Sequence, residues 1–176
     1  MGIDLHRLPA FVRDDIFNVV VESPRGSSVK LKHDPKTNLF GISRPLALGL
    51  SYPYDWGFVP STRGPDGDPI DAAVFWDVST FPGVVMQCRA LALIEVEQNA
   101  TDAESPRRRR NDRILAVPVE GRRQAGVAAI SDLGERLRQE LEMYFITAAS
   151  LEGKDPKVLG WANADAALEL LRSSSA

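Results

Sequence analysis

Cysteine and histidine are scarce in this sequence, and their scarcity limits the kinds of site that it holds. The 176 residues include one cysteine, Cys88, and two histidines, His6 and His33. A single cysteine excludes a disulfide framework, and these few residues do not make the Cys/His set of a structural zinc site. The cysteine usage therefore indicates a reduced, cytoplasmic compartment.

Long apolar runs and an excess of basic residues are also missing. No run approaches the roughly 20 apolar residues that cross a bilayer, and residues 1–10 lack the apolar core of a secretion signal. The formal net charge is -3, and aromatic residues make up 7% of the chain. We therefore expect neither a membrane protein nor a nucleic-acid binder, because a general positive field and stacking rings are both lacking.

The length and a hydrophobic content of 44% predict one domain over residues 1–176. Alternating or β-branched runs predict strands through the first two thirds of the chain. These runs are residues 17–22, a hairpin over 29–44, and residues 70–76, 84–97 and 113–119. Between the last two runs, residues 98–112 are polar and include Arg107 to Arg110, which predicts a long exposed loop.

Two helices are predicted near the C-terminus. Asp132 is placed to cap the first, with Glu135 three residues later, and Asn163 is placed to cap the second. The apolar stripe of the first helix is Leu133, Leu137, Leu141 and Phe145. Residues 173–176 are expected to fray. Strands first and helices last indicate an α+β domain, mainly β, built as a small closed β-barrel with both helices packed outside.

Three carboxylates within six residues form the most informative motif. Asp66, Asp68 and Asp71 stand at the entry to an apolar strand, where Gly67 permits a turn and Pro69 favours extended backbone before it. Two unit charges about 4 Å apart repel by roughly 4 kcal/mol at an effective dielectric near 20, so a bound cation would relieve the crowding. Oxygen ligands favour Mg²⁺ or Mn²⁺. The alternative is an ordinary turn whose acids face water.

The run from Asp66 to Ala72 closely resembles the acidic signature of the soluble family I inorganic pyrophosphatases. The resemblance continues in family order over roughly residues 14 to 165. The further matching segments are Val20-Val21-Glu22, Ser28-Val29-Lys30, Arg44, Tyr52-Pro53, Trp56-Gly57-Phe58 and Leu115-Ala116-Val117-Pro118. The resemblance implies a five-stranded, OB-like barrel that hydrolyses diphosphate to two phosphates with several Mg²⁺ ions. It also implies a homo-oligomer, commonly a hexamer.

The resemblance assigns roles residue by residue. Asp66 and Asp71 would hold metal, and Asp68 would accept a proton from the attacking water as the catalytic base. Glu22 would bind a metal through water. The side chains that would grip phosphate oxygens are Lys30, Arg44 and Tyr52.

Several positions depart from the family pattern. Lys32 stands where an acid is usual, and Trp56 stands where a second phosphate-binding Tyr is expected, without its hydroxyl. A phosphate-binding Tyr-Lys pair aligns with Ala148-Ala149. Lys154 or Lys157, in the following loop, is a candidate replacement.

Two acids expected in the loop after the long strand align with amides. Gln98-Asn99 and Asn111 occupy those places, while Glu97 and Asp112 lie one residue away. A register slip of one residue would make Glu97 and Asp112 metal ligands and would let Arg113 grip phosphate as a substrate-binding residue; otherwise those ligands are absent. Arg107 to Arg110 form either a solvated loop or a cationic group for a more anionic substrate.

Three functions follow from these observations. The first is metal-dependent hydrolysis of inorganic diphosphate. The second is a protein of the same fold with impaired hydrolysis, which binds another phosphorylated compound or regulates a partner, as Lys32, Trp56, Asn111 and Ala148-Ala149 suggest. The third is an OB-type nucleic-acid binder, against which the negative charge and the low aromatic content count.

Overall fold

The computed structural model describes residues 3–100 and 107–175. Within these residues the chain forms ten strands and two α-helices. The first five strands are β1 (Phe11–Arg13), β2 (Ile16–Ser23), β3 (Val29–Asp34), β4 (Leu39–Pro45) and β5 (Asp55–Phe58). The remaining strands are β6 (Asp71–Val74), β7 (Val85–Asn99), β8 (Arg108–Arg110), β9 (Arg113–Pro118) and β10 (Lys157–Asn163). The helices are α1 (Glu135–Ser150) and α2 (Ala164–Ser174).

Five strands close into a ring. Their order is β2-β5-β6-β9-β7, and a further pairing of β7 with β2 completes the circle. Only β6 and β9 pair in parallel, with Ala72 opposite Ile114 and Val74 opposite Ala116. The predicted mainly β domain, with a small closed five-stranded barrel and two C-terminal helices, is therefore confirmed.

The core consists of two apolar clusters, because successive side chains of a strand point to opposite faces of the sheet. The β2 residues Val19 and Val21 lie in the cluster that receives Ala167 and Leu171 of α2. Leu115 of β9 lies in the other cluster, with Leu141 and Phe145 of α1. Each helix therefore buries its apolar stripe against strand residues, which is where most helix stability originates.

The hairpin β3–β4 lies outside the ring. It pairs Val29 with Pro45 and Asp34 with Leu39, as the sequence predicted, and it forms a sheet of its own. Ser23 of β2 connects it to the barrel, since its hydroxyl accepts a hydrogen bond from the Leu31 amide at 2.9 Å. The lysines of β3 thereby reach the barrel opening.

Three local predictions were wrong. Residues 98–112 are not all loop, because β7 continues to Asn99 and residues 108–110 form β8. Helix α1 is capped by Gly134, whereas Asp132 accepts hydrogen bonds from the amides of Ala128 and Ala129, both 2.8 Å. The expected fraying does not begin at residue 173, because α2 continues to Ser174. Residues 101–106 of the predicted loop and residue 176 lie outside the described residues.

The segment 61–63, just before the acidic motif, contacts both ends of the described chain. The Ser61 amide donates to the His6 carbonyl at 2.9 Å, and the Arg63 amide donates to the Ser174 carbonyl at 2.8 Å. Thr62 forms an isolated bridge with Ser175. The approach to the acidic motif is thus fixed from two sides.

Candidate functional site

The acidic motif forms a tight loop whose backbone bonds to itself. The Gly64 amide donates to the Asp68 carbonyl at 2.7 Å, and the Asp68 amide donates to Asp66 Oδ1 at 3.1 Å. Gly67 adopts φ 89°, a conformation that side chains rarely tolerate. Asp71 then begins β6. This loop places Asp66, Asp68 and Asp71 along the lining of one cavity of about 70 Å³.

Glu22 lines the same cavity from the opposite side. It lies on β2 with only 5% of its surface exposed, and its Oε1 accepts a hydrogen bond from the His33 amide at 2.7 Å. Burial raises the pKa of Glu22 to about 7, and the nearby charge of Asp71 adds to the increase. A buried carboxylate with this environment gains stability from any cation that enters the cavity.

Cationic side chains alternate with these acids. Lys32 Nζ lies 2.8 Å from Asp68 Oδ2, and Arg113 Nε lies 3.4 Å from Asp71 Oδ2. Burial alone would lower the pKa of Lys32, but the hydrogen bond to Asp68 raises it, so the ammonium is charged at neutral pH. Lys30 and Lys154 also line this cavity. The opening therefore carries charges of both signs.

A second cavity of about 70 Å³ abuts the first and holds the predicted phosphate-binding groups. Its cationic and aromatic lining includes Lys30, Arg44, Tyr52, Trp56, Arg113, Tyr144 and Lys154. Asp71 is the acid shared by both cavities. Cations thus outnumber acids in this cavity, which suits an anion.

Contacts to α1 and its following loop position Arg44. Its Nη2 donates to the Ala148 carbonyl at 2.8 Å, and its Nη1 lies 3.4 Å from Glu152 Oε1. Tyr52 is buried, and burial raises the pKa of its hydroxyl to about 12, so it remains protonated and able to donate a hydrogen bond. The structure thus brings Lys30, Arg44, Tyr52 and Arg113 together.

Trp56 and the alanine pair also line the second cavity. The Arg113 guanidinium lies 5.7 Å from the centre of the Trp56 ring, within range of a cation–π interaction. Tyr144, one helical turn before Ala148, lines the cavity as well, and its buried hydroxyl has no hydrogen-bond partner among the described residues. Sequence reasoning missed Tyr144, although its spacing from Ala148 places both on one helix face.

Glu97 and Asp112, the ligands that a register slip would supply, do not line either of these two cavities. Arg108 Nε lies 2.7 Å from Glu97 Oε1, and Arg110 Nη2 lies 2.9 Å from Asp112 Oδ2. Successive side chains of a strand point to opposite faces, so Gln98 rather than Glu97 lines the site. Asn111 likewise lines it in place of Asp112.

A third cavity, of about 160 Å³, continues outward from the carboxylates. Its lining combines Asp66, Asp68, Gln98, Asn99, Ala100, Arg109, Asn111 and Lys154. Arg109 reaches it because β8 alternates: Arg108 and Arg110 engage acids on the other face. Arg108 and Arg110 therefore lie on one face of β8, and Arg109 lies on the other, at the edge of the site.

The carboxylates of the first cavity are suitable ligands for a divalent metal ion, because hard cations such as Mg²⁺ prefer oxygen ligands. Within residues 3–100 and 107–175, no three acids or histidines converge on a single point. A metal held in this cavity would therefore take one or two carboxylates and complete its coordination with water, as Mg²⁺ commonly does. The carboxylates that line this cavity are Glu22, Asp66, Asp68 and Asp71.

Carboxylates that suit a divalent metal and cations that suit an anion meet at one opening of the barrel, an arrangement that fits metal-assisted chemistry on an anionic substrate. The sequence profile described as inorganic pyrophosphatase matches residues 19–176. The inorganic pyrophosphatase of Synechocystis is 36% identical over 169 residues, covering 96% of this chain and 95% of that protein. That of Thermus thermophilus is 35% identical, covering 90% and 88%.

Solved structures show the same likeness. The crystal structure of inorganic pyrophosphatase from Thermus thermophilus superposes with a TM-score of 0.88 at 32% identity, covering 98% of this chain and 97% of that one. The structure from Coxiella burnetii gives 0.84 at 32% identity, covering 95% and 97%. The chain belongs to the inorganic pyrophosphatase family, as the sequence motifs predicted.

In the described part of the chain, the helices are all too short or too polar to cross a membrane.

Proposed function

We propose that this protein hydrolyses inorganic diphosphate to two phosphates with the help of divalent metal ions. The observation that carries the proposal is the meeting of two cavities at Asp71, one lined by four carboxylates and the other mainly by cations. Metal ions and a phosphate anion could occupy adjacent positions there. Membership of the inorganic pyrophosphatase family supports the same reaction.

Asp68 is the proposed catalytic base. Lys32 engages its Oδ2, so we assign the other oxygen, Oδ1, to the proton of the attacking water. Asp68 lines the carboxylate cavity, and a carboxylate within hydrogen-bond reach of the attacking water would serve as its general base. In this step the water oxygen would form a bond to one phosphorus atom while the bridging phosphorus–oxygen bond breaks; Asp68 takes the water proton, and the leaving phosphate keeps the electron pair of the broken bond.

The phosphate groups would be bound by Lys30, Arg44, Tyr52 and Arg113. Arg44 and Arg113 supply planar guanidinium groups that hydrogen bond to two oxygens at once, and Lys30 supplies a compact charge. Their bonds to Ala148 and Asp71 restrict the two arginines before substrate arrives. This restriction lowers the ordering cost of binding.

Glu22, Asp66 and Asp71 are the residues that would hold metal, with Mg²⁺ proposed and Mn²⁺ the alternative. A divalent ion bound there supplies positive charge that stabilises the anionic substrate and favours ionisation of water. Glu97 and Asp112 are left out because Arg108 and Arg110 hold them on another face.

Phosphate release tests this proposal. Purified protein with Mg²⁺ and diphosphate should release inorganic phosphate, and Asp68→Asn should reduce the rate by about 100-fold or more, the usual contribution of general-base catalysis. Asp15→Asn, an exposed acid far along the chain from the motif, is the matched control and should retain the wild-type rate. Chelation by EDTA should stop release, and Mg²⁺ or Mn²⁺ should restore it.

The ion pair between Lys32 and Asp68 supports a second candidate, a protein that binds phosphorylated compounds without efficient turnover. An ammonium beside the proposed base would hinder proton transfer. Calorimetry with diphosphate and Mg²⁺ distinguishes the two candidates. Binding without phosphate release above the Asp68→Asn background would favour the second.

The cytoplasmic location and the homo-oligomeric state, a hexamer by resemblance, stay predictions. Size-exclusion chromatography with light scattering measures the oligomeric state directly. Several large apolar side chains are exposed on the isolated chain and offer surface for association, among them Ile42, Leu48 and Phe81.

A further inference from the structure

Lys154 occupies a singular position at the site. It lies in residues 151–156, the connection between α1 and β10, and it is half-buried. Among the described residues, Lys154 alone lines all three abutting cavities. Its side chain therefore stands where the carboxylate cavity, the cationic cavity and the outer cavity meet.

The Lys154 ammonium has no ion pair or hydrogen bond within residues 3–100 and 107–175. The two acids nearest to it in sequence are already engaged, since Glu152 pairs with Arg44 at 3.4 Å and Asp155 with Arg108 at 3.0 Å. The half-buried Lys154 ammonium is therefore available to bind an anion that enters the site.

The surrounding charges point to an anion as that partner. Burial lowers the pKa of Lys154, and the positive charges of Lys30, Arg113 and Arg44 lower it further, against the opposing effect of Asp71. The cationic cavity thus concentrates like charges that repel one another. An anion bound among them would relieve this repulsion.

The backbone that carries Lys154 is held in place on both sides. The Asn99 amide donates to the Lys154 carbonyl at 2.7 Å, and the Asn99 side chain donates to the Gly153 carbonyl at 3.3 Å. Arg108 Nη1 donates to the Asp155 carbonyl at 2.8 Å. Asp155 itself adopts φ 41°, and Pro156 is buried. The connection therefore presents the ammonium from a constrained backbone.

We infer that Lys154 is a substrate-binding residue that contacts a phosphate group from this connection, an inference that rests on the proposed diphosphate hydrolysis. An ammonium offers three hydrogen-bond donors and a compact charge, which suits a phosphate oxygen. Arg108 is then a positioning residue, because it joins β8 to Asp155 and fixes the connection.

The test compares Lys154→Met with Lys157→Met, since Lys157 is exposed at the start of β10 and outside the three cavities. Inorganic phosphate is the binding probe in calorimetry, and diphosphate with Mg²⁺ is the substrate for kcat and KM. Lys154→Met should weaken phosphate binding and raise KM by about tenfold or more, as expected for loss of a charged hydrogen bond. Lys157→Met should stay within about twofold of wild type, and Lys154→Arg should recover most of the affinity.

Thermal melting confirms that each variant is folded before binding is measured, and Lys154→Gln replaces Lys154→Met if the latter does not fold. Unchanged phosphate affinity and KM in the folded variants would overturn the inference, and so would a wild-type protein that binds no phosphate at millimolar concentration. If wild type releases phosphate from diphosphate and Lys154→Met has the same KM and phosphate affinity, the proposed hydrolysis is supported and the role of Lys154 is not. If wild type releases none but Lys154→Met loses phosphate affinity, Lys154 remains an anion-binding residue and the proposed hydrolysis fails.

Discussion

Lys32 Nζ lies 2.8 Å from Oδ2 of Asp68, so the proposed catalytic base forms an ion pair with a lysine of the neighbouring hairpin. The two side chains are 49% and 61% exposed. Exposed ion pairs contribute only about 0 to 1 kcal/mol to the free energy of unfolding. The pair therefore adds little to the stability of the fold, and its main effect is on the net charge of the carboxylate cavity.

Replacing Lys32 with methionine should strengthen divalent metal binding. The ammonium repels an incoming metal ion and occupies an oxygen of Asp68, so its removal should tighten Mn²⁺ binding by about tenfold. Calorimetric titration of Mn²⁺ into metal-free protein measures the effect. The midpoint of thermal unfolding should hardly change, because the exposed pair adds little stability.

Lys36→Met removes an exposed lysine from the turn of the same hairpin and serves as the control for total charge. Equal Mn²⁺ affinities in Lys32→Met and Lys36→Met would show that the ion pair does not influence the metal site.

Glu22 predicts a pH dependence of the metal-free protein. Its folded pKa of about 7 lies above the ordinary value of 4.5, so the folded state holds a proton that the unfolded state releases between these values. The free energy of unfolding therefore has its full contribution from Glu22 below pH 4.5. This contribution decreases as the pH rises from 4.5 to 7. The expected decrease in the free energy of unfolding is roughly 3 kcal/mol. Glu22→Gln should abolish this decrease, because glutamine stays neutral at every pH.

Urea unfolding in EDTA at about pH 5 and about pH 8, on either side of the folded pKa, measures the difference. The wild-type unfolding free energy should fall more steeply than that of Glu22→Gln. Glu169→Gln, on the exposed face of α2, is the control and should follow wild type. Parallel pH dependence in wild type and Glu22→Gln would contradict the prediction.

Gly57 of β5 has no room for a side chain. A Cβ there would clash with the Val20 carbonyl oxygen and would lie 2.9 Å from the Val21 Cα, both backbone atoms that cannot move aside. Gly57→Ala should lower the free energy of unfolding by about 3 kcal/mol or more. Gly41→Ala in β4 meets nothing within 4 Å and should stay within about 1 kcal/mol of wild type in the same urea experiment.

Asp55 is a buried carboxylate that connects loops rather than joining the active site. It is 0% exposed and accepts hydrogen bonds from the Arg25 amide, the Trp76 indole and the Thr80 amide and hydroxyl. Asp55→Ala would leave these donors without a hydrogen-bond partner, and it should lower the free energy of unfolding by about 3 kcal/mol or more. Below its melting temperature the variant should hydrolyse diphosphate normally, because Asp55 lines none of the three cavities at the site.

The sequence identified strands whose β-branched residues alternate, and it missed strands whose formation depends on partners. The strand β10 contains Gly160 and pairs with β7, which supplies its hydrogen bonds. The strand β8 consists of arginines, a composition that predicts a solvated loop. It forms because Glu95, Glu97 and Asp112 neutralise Arg108 and Arg110. Such long-range charge pairing is not visible in a local pattern.

The carboxylates of the acidic loop were predictable because Gly67 and Pro69 fix the local backbone. The sequence could not decide between Glu97 and Gln98, because a displacement of one residue along a strand moves a side chain to the opposite face. Which face becomes the site depends on the pairing of β7 with β8 and β9. Lys154 was one of two candidates, and the three-dimensional path of residues 151–156 separates it from Lys157.

The tethering of segment 61–63 has a practical consequence for protein engineering. Because Ser61 bonds to residues near one end and Arg63 and Thr62 to residues near the other, a fusion partner at either end would pull on the backbone that leads into the acidic loop. Catalytic measurements on tagged protein should therefore use a long, flexible spacer or cleave the tag. Altered metal affinity in a tightly fused variant would otherwise be mistaken for an intrinsic property.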